Sequence, residues 1–332
     1  MKKTISTILA AAMICGALAL AGCGNTDTAS SSGAATDTTS STAASSESAA
    51  PASEAGSSAA GTASVDTTVS GKVTGSGSSA LLPLAQDAAS EYKKLNPNVS
   101  ITLSAGGSGQ GLKQVSDGSV DIGNSDVEAS TKLDKSKADE LVDHKVCIVT
   151  MAPIVNNDIG STVKSLTKDQ LTKIFTGETK NWKDVGGPDE EIVLVTRPTT
   201  SGTRALFKQY AMDGKEEVSG GSLETDDSGT LLQSIEQNKG AIGYIALSYL
   251  TGENASKVTA LAIDGVQPTL ENTYNGTYPV WGYEHMYTKG EATGAAKAFI
   301  DFIQSEQYGQ KMESLGYGVT SKLSDKAVES HK

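Results

Sequence analysis

Three times along this chain a short apolar run stops at a loop of Ser, Gly and Thr, and each loop opens directly into a helix-like pattern. Lys72-Val73-Thr74 leads into residues 75–79, after which Leu81, Leu84, Ala85, Ala88 and Tyr92 recur on one helical face. Val99 to Leu103 alternates as a strand and runs into residues 106–109, which open a helix near Leu112 and Val115. Ile192 to Val195 runs into residues 200–203 and a helix through Met212. Further strands are expected at Val120–Gly123, Cys147–Val155, Ala241–Ala246 and Tyr278–Tyr287. Helices are expected over Thr167–Phe175, with Thr167 and Gln170 as a capping box, and over most of Ala295–Leu315. Strands alternating with helices predict an α/β fold.

The N-terminal part is an address and not a domain. Lys2 and Lys3 precede an apolar stretch over residues 5–21 that ends Leu20-Ala21-Gly22-Cys23, the pattern of a secretory signal. The Leu-Ala-Gly-Cys ending resembles a lipobox, which makes residues 1–22 the signal peptide and Cys23 the site of lipid attachment, palmitate included. Residues 24–68 are Ser, Ala, Thr or Gly at 37 of 45 positions. Such a segment cannot bury enough apolar surface to offset its ordering entropy. Residues 23–68 therefore read as a lipid-anchored tether with an r.m.s. reach of ~35–40 Å. About 264 residues remain to fold, enough for one large or two medium domains.

Charge and composition exclude several functions. Residues 1–68 hold two lysines and five acids, which leaves 25 basic and 34 acidic residues in the folding part. A net charge of −9 disfavours binding to DNA or RNA. Three cysteines and three histidines leave too few ligands for a Cys/His metal cage, and no cofactor motif holds up. Gly75 to Ala80 fits a dinucleotide fingerprint, but an exported protein has little access to NAD. Ser161-Thr162-Val163-Lys164 fits S-x-x-K without its companion motif. His144 or His285 could serve a serine hydrolase, although no spacing supports it, so the chain reads as a non-enzyme with no catalytic residue. Cys147, the single thiol of the folding part, reads as a small buried hydrophobe.

The loops suggest a different chemistry. A helix N-terminus carries unsatisfied N–H groups and a partial positive charge, so each Ser/Gly loop is a candidate anion cradle. Alone, each such Ser or Thr reads equally as an N-cap; three in one stretch suggest a shared site. The chain has two arginines against 25 lysines, and both flank the third loop, at Arg197 and Arg204. Arg197 supplies the fork that holds an oxyanion through two N–H bonds. Arg204, inside the helix, reads equally well as a surface or ion-pair residue.

Several separated stretches resemble the PstS family, the phosphate-binding proteins of ABC importers. They are Gly77-Ser78-Ser79-Ala80-Leu81, Gly107-Ser108-Gly109-Gln110-Gly111, Asp121-Ile122-Gly123-Asn124-Ser125-Asp126, Arg197 to Thr203, Ser165 to Gly177 and Gly240 to Tyr244. The resemblance covers about residues 70–320. It implies a two-lobed periplasmic-binding-protein fold with a ligand cleft and two hinge crossings. Lobe 1 would comprise 69–152 plus 283–332, and lobe 2 153–282. The implied phosphate contacts are Ser79, Ala80 through its backbone N–H, Ser108, Asp126, Arg197, Ser201, Gly202 and Thr203. Asp126 would accept the proton of hydrogen phosphate, a bond that sulfate cannot offer. The implied partners are inorganic phosphate and the membrane permease and ATPase of an ABC importer, with the protein a monomer held at the extracytoplasmic face of the cell membrane. Two positions depart from the family pattern: Thr199 stands where an acidic residue is common, and Gln110 where Gly is. The alternatives are a receptor for sulfate, molybdate or tungstate, an extracytoplasmic serine hydrolase, and a surface adhesion or phosphate-sensing module.

Overall fold

One strand organises the molecule. In the computed structural model, which describes residues 65–218 and 223–331, β4 (Leu141–Val155) is fifteen residues long and buried over its second half. Its apolar run, Val146 to Val155, has no polar face because both sides of it are covered. Seven further strands of its sheet are β1 (Gly71–Gly77), β2 (Val99–Ala105), β3 (Ile122–Ser125), β5 (Val193–Thr196), β6 (Leu223–Glu224), β7 (Ala241–Ala246) and β9 (Trp281–Lys289). They follow the order β2-β1-β3-β9-β4-β7-β5-β6, and a short β8 (Thr259–Ala260) also pairs with β4. The first half of β4 runs antiparallel to β9, from Leu141 opposite Lys289 to Thr150 opposite Trp281. From Met151 onward its partner is β7. β4 thus passes from one half of the sheet to the other between Thr150 and Met151.

The helices follow from local sequence. They are α1 (Leu82–Leu95), α2 (Ser108–Ser116), α3 (Lys168–Phe175), α4 (Gly202–Ala211), α5 (Ser228–Gln237), α6 (Gly294–Gln304) and α7 (Glu306–Met312). The expected capping box is formed: Thr167 Oγ1 accepts from Gln170 N, and Gln170 Oε1 accepts from Thr167 N. The expected helix over Ala295–Leu315 breaks at Ser305, whose Oγ accepts from Tyr308 N and so starts a second helix. Helix α5 was not anticipated.

Two large apolar cores flank the crossing. One gathers Val73, Leu84, Tyr92, Ile122, Cys147, Phe299 and Phe302. The other gathers Met151, Ile174, Phe175, Phe207, Tyr244 and Val280, with Phe207 stacked on Tyr244 at 4.1 Å. Cys147 is fully buried, as its neighbours suggested, and burial pushes its thiol well up. Ordered contacts begin earlier than the expected tether boundary: Val65 packs on the first core and Tyr92 Oη donates to Asp66 O at 2.5 Å. The signal segment, Cys23 and the tether up to residue 64 lie outside the described residues. No helix among the described residues is long and apolar enough to cross a membrane.

Candidate functional site

The three Ser/Gly loops meet where the two halves of the sheet face each other. Gly109 N donates to Thr200 O at 3.0 Å, which joins the second loop to the third. Ser108 Oγ accepts from Asp126 N at 3.0 Å, and Thr203 Oγ1 donates to Asp126 Oδ2 at 2.7 Å. The fit is tight: a Cβ on Gly202 would lie 2.1 Å from Ser108 Oγ and 2.9 Å from Asp126 Cβ. Only a glycine lets the N-terminus of α4 approach this closely. Ser201 caps α4 through its Oγ, which accepts from Arg204 N.

A fourth loop completes the cluster, and it was missed in the sequence. Ser228-Gly229-Thr230 repeats the tripeptide Ser201-Gly202-Thr203 and opens α5, with Asp227 as N-cap. Ser79 Oγ lies 2.9 Å from Ser228 Oγ and 2.8 Å from Asp226 O. The identical tripeptide was the signal that could have found it. Ala80 is fully buried, and its carbonyl accepts from Tyr317 Oη at 2.5 Å.

Arg197 is completely buried. Its Nη2 donates to Ser228 Oγ at 3.0 Å and to Tyr244 O at 3.3 Å, and Nη1 reaches Asp226 O at 3.4 Å and Asp226 Oδ1 at 3.8 Å. The acid beside Arg197 therefore comes from the α5 loop and not from position 199. Asp226 Oδ2 lies against Gly107, where a Cβ would stand 1.7 Å from it; Gly107 also has φ +83°. Burial raises the Asp226 carboxyl, while a bond from Ser201 and the Arg197 charge hold it down.

Arg204 is not a surface residue. It is 7% exposed, donates to Arg197 O at 2.5 Å and pairs with Glu217 at 3.1 Å and Glu216 at 3.2 Å. Glu217 in turn accepts from Arg197 N at 3.1 Å and Tyr244 Oη at 3.0 Å. The second arginine thus braces the backbone of the first. Lys132 adds a strap: its Nζ donates to Thr199 O at 2.8 Å and Ser201 O at 3.1 Å. Burial lowers its pKa.

All eight residues singled out from sequence, Ser79, Ala80, Ser108, Asp126, Arg197, Ser201, Gly202 and Thr203, are buried, and the seven with side chains are 0–3% exposed. Hydroxyls, helix N-termini and one guanidinium outnumber the carboxylates, so the cluster is suited to a small, multiply accepting anion. Such a cluster, set where one long strand leaves the first half of a sheet and enters the second, defines a solute-binding protein of the bilobal α/β class.

The family described as the PBP superfamily domain matches residues 60–307. The chain belongs to that superfamily and, within it, to the family of the phosphate-binding protein PstS. The Bacillus subtilis protein of that name is 52% identical over 245 residues, 74% of this chain and 79% of its own. A solved structure from Clostridium perfringens, a candidate phosphate ABC transporter substrate-binding protein with bound phosphate, is 32% identical with a TM-score of 0.68. It covers 75% of this chain and 100% of its own. An ABC-type phosphate transport receptor from Vibrio cholerae is 27% identical with a TM-score of 0.58, covering 74% of this chain and 99% of its own.

Proposed function

We propose that this protein is an extracytoplasmic receptor that captures inorganic phosphate between two lobes and passes it to the permease and ATPase of an ABC importer. The observation that carries the reading is the buried Arg197, bonded to Ser228, which meets Ser79, in a cluster where Ser108 and Thr203 bond Asp126, the facing acceptor. Hydroxyl and N–H donors satisfy the unprotonated oxygens of hydrogen phosphate, and Asp126 accepts a hydrogen bond from the protonated one. The relatives' names, phosphate-binding proteins and transport receptors, support the same reading. His285 Nδ1 bonds Asp143 at 2.8 Å and His144 Nε2 bonds Thr288 at 3.0 Å, and among the described residues neither of the two bonds a serine. Ser161 Oγ donates to Asp158 O in a local turn, and Lys164 Nζ reaches Gly160 O. The test is calorimetric titration with phosphate and with sulfate. Saturable binding of phosphate without turnover, with sulfate far weaker, is expected. Absence of phosphate binding, or hydrolysis of phosphate esters, would sink the reading.

Closure is part of this function. The lobes would be residues 69–152 with 283–332, and residues 153–282. They would hinge where β4 changes partners at Thr150 and Met151 and where the chain enters β9 at Trp281. The contacts between loops, such as Gly109 N to Thr200 O, would form on closure around the ligand. Phosphate is expected to reduce the radius of gyration in solution scattering. Superimposable curves with and without phosphate would count against a hinged receptor.

The anchor belongs to the same proposal. Cleavage before Cys23 would leave that cysteine lipidated, palmitate included, and a flexible tether would hold a monomeric receptor at the outer face of the cell membrane. Cys23→Ser is expected to block normal processing or to release the protein into the medium. A mature-sized variant that still needs detergent for extraction would point to another anchor.

A further inference from the structure

Glu284 is fully buried on β9, and among the described residues neither of its carboxyl oxygens has a donor. Strands β3 and β9 pair antiparallel, with His285 opposite Ser125 and Met286 opposite Asn124. Asp126 directly follows Ser125 and Glu284 directly precedes His285, so both residues lie just beyond the end of this ladder, beside the bulge in the pairing of β9 with β4. The two carboxyls are in hydrogen-bonding contact. Asp126 Oδ1 is also buried without a donor, whereas Oδ2 accepts from Thr203. Two ionised carboxylates are both acceptors and cannot bond each other; in contact they hold one proton between them.

The environment says which carboxyl holds that proton. Asp126 accepts from the Thr203 hydroxyl and faces the N-terminus of α4, where a helix presents unpaired N–H groups. Glu284 has neither. The titratable groups around it are Asp126 beyond β3, Cys147 opposite it on β4 and Tyr317 from the segment after α7. None of them is a cation. Burial pushes Glu284 well above the ordinary carboxyl range, and the charge and bond of Asp126 push it further.

We propose that Glu284 is a positioning residue of the anion site: a neutral carboxyl that donates to Asp126 Oδ1 and keeps Asp126 the ionised acceptor of the pair. This rests on the phosphate reading above. The proton of the pair lies on the side of Asp126 turned toward β9. An anion bringing its own proton finds a lone pair to accept it. An anion without one meets a carboxylate whose hydrogen bond is already directed elsewhere.

The test uses the full chain, Glu284→Gln and Glu284→Met, with infrared difference spectra in the absence of ligand and titrations with inorganic phosphate and sulfate. The spectrum of the parent minus that of Glu284→Gln is expected to contain a protonated-carboxyl C=O stretch at neutral pH. Glutamine retains a donor to Asp126, so phosphate affinity should stay within about threefold and selectivity should persist. Methionine fills the space without a donor. It should weaken phosphate by about tenfold, the low end for a charge-assisted bond, and narrow the preference over sulfate. A carboxylate band in place of the protonated one overturns the proposal, as does glutamine proving as damaging as methionine. If the methionine variant fails to fold, the glutamine spectrum and titrations still decide. A parent that shows the band but binds no phosphate overturns the phosphate reading, and this role with it, while the protonated pair itself stands.

Discussion

Asp126→Asn is expected to lower the ratio of phosphate to sulfate affinity by about 100-fold or more, chiefly by admitting sulfate. Juxtaposed like charges in a desolvated site cost several kcal/mol, and each 1.4 kcal/mol is a factor of about ten. In the parent, sulfate would face an ionised carboxylate that is 2% exposed. Asparagine removes the charge and offers a donor, while its oxygen can still accept from Thr203 Oγ1, now 2.7 Å from Asp126 Oδ2. Phosphate affinity should therefore change less than sulfate affinity. Paired titrations on parent and variant at one pH and salt concentration decide it. A variant that excludes sulfate as strongly as the parent would place discrimination in the shape of the cleft and not in Asp126.

Arg197→Lys is expected to weaken phosphate binding roughly 10- to 150-fold, the equivalent of one charge-assisted bond of ~1.5–3 kcal/mol. Lysine keeps the charge but cannot reproduce a fork that already spends Nη2 on Ser228 and Tyr244 O and Nη1 on Asp226. Among the described residues Nε has no hydrogen-bond partner, which leaves it a donor for a ligand. Arg204→Lys separates affinity from stability. It loses part of a buried network to Glu217 and Arg197 O, so it should lower stability by about 1 kcal/mol for each bond lost, with a smaller effect on binding. Equal affinity for parent and Arg197→Lys would remove Arg197 from the site.

The loops were legible because their chemistry is local. A Ser or Thr that caps a helix, a Gly that lets backbone approach, and an Arg beside them all lie within a few residues of one another, as at Arg197 to Thr203. The capping box at Thr167 was readable for the same reason. Helix α5 was overlooked although its Ser228-Gly229-Thr230 repeats the earlier tripeptide, because no apolar run leads into it and the strand before it is only two residues long. Beyond the motifs, the family resemblance supplied the two-lobed arrangement, which no periodicity in the chain specifies.

The sequence by itself determined the alternation of strands and helices and a small set of donors suited to an anion. Tertiary structure alone decided which acids serve those donors. Asp226 replaces an acid missing at position 199, Glu217 and Arg204 brace the Arg197 backbone, and Glu284 comes beside Asp126 from a strand more than a hundred residues away in the chain. These pairings depend on the register between β3 and β9 and on the juxtaposition of α1 with the α5 loop, as in the contact of Ser79 with Ser228 across 149 residues. Their cause is burial. A carboxyl loses its water only once both halves of the sheet have packed around it, and only then does it need a particular partner.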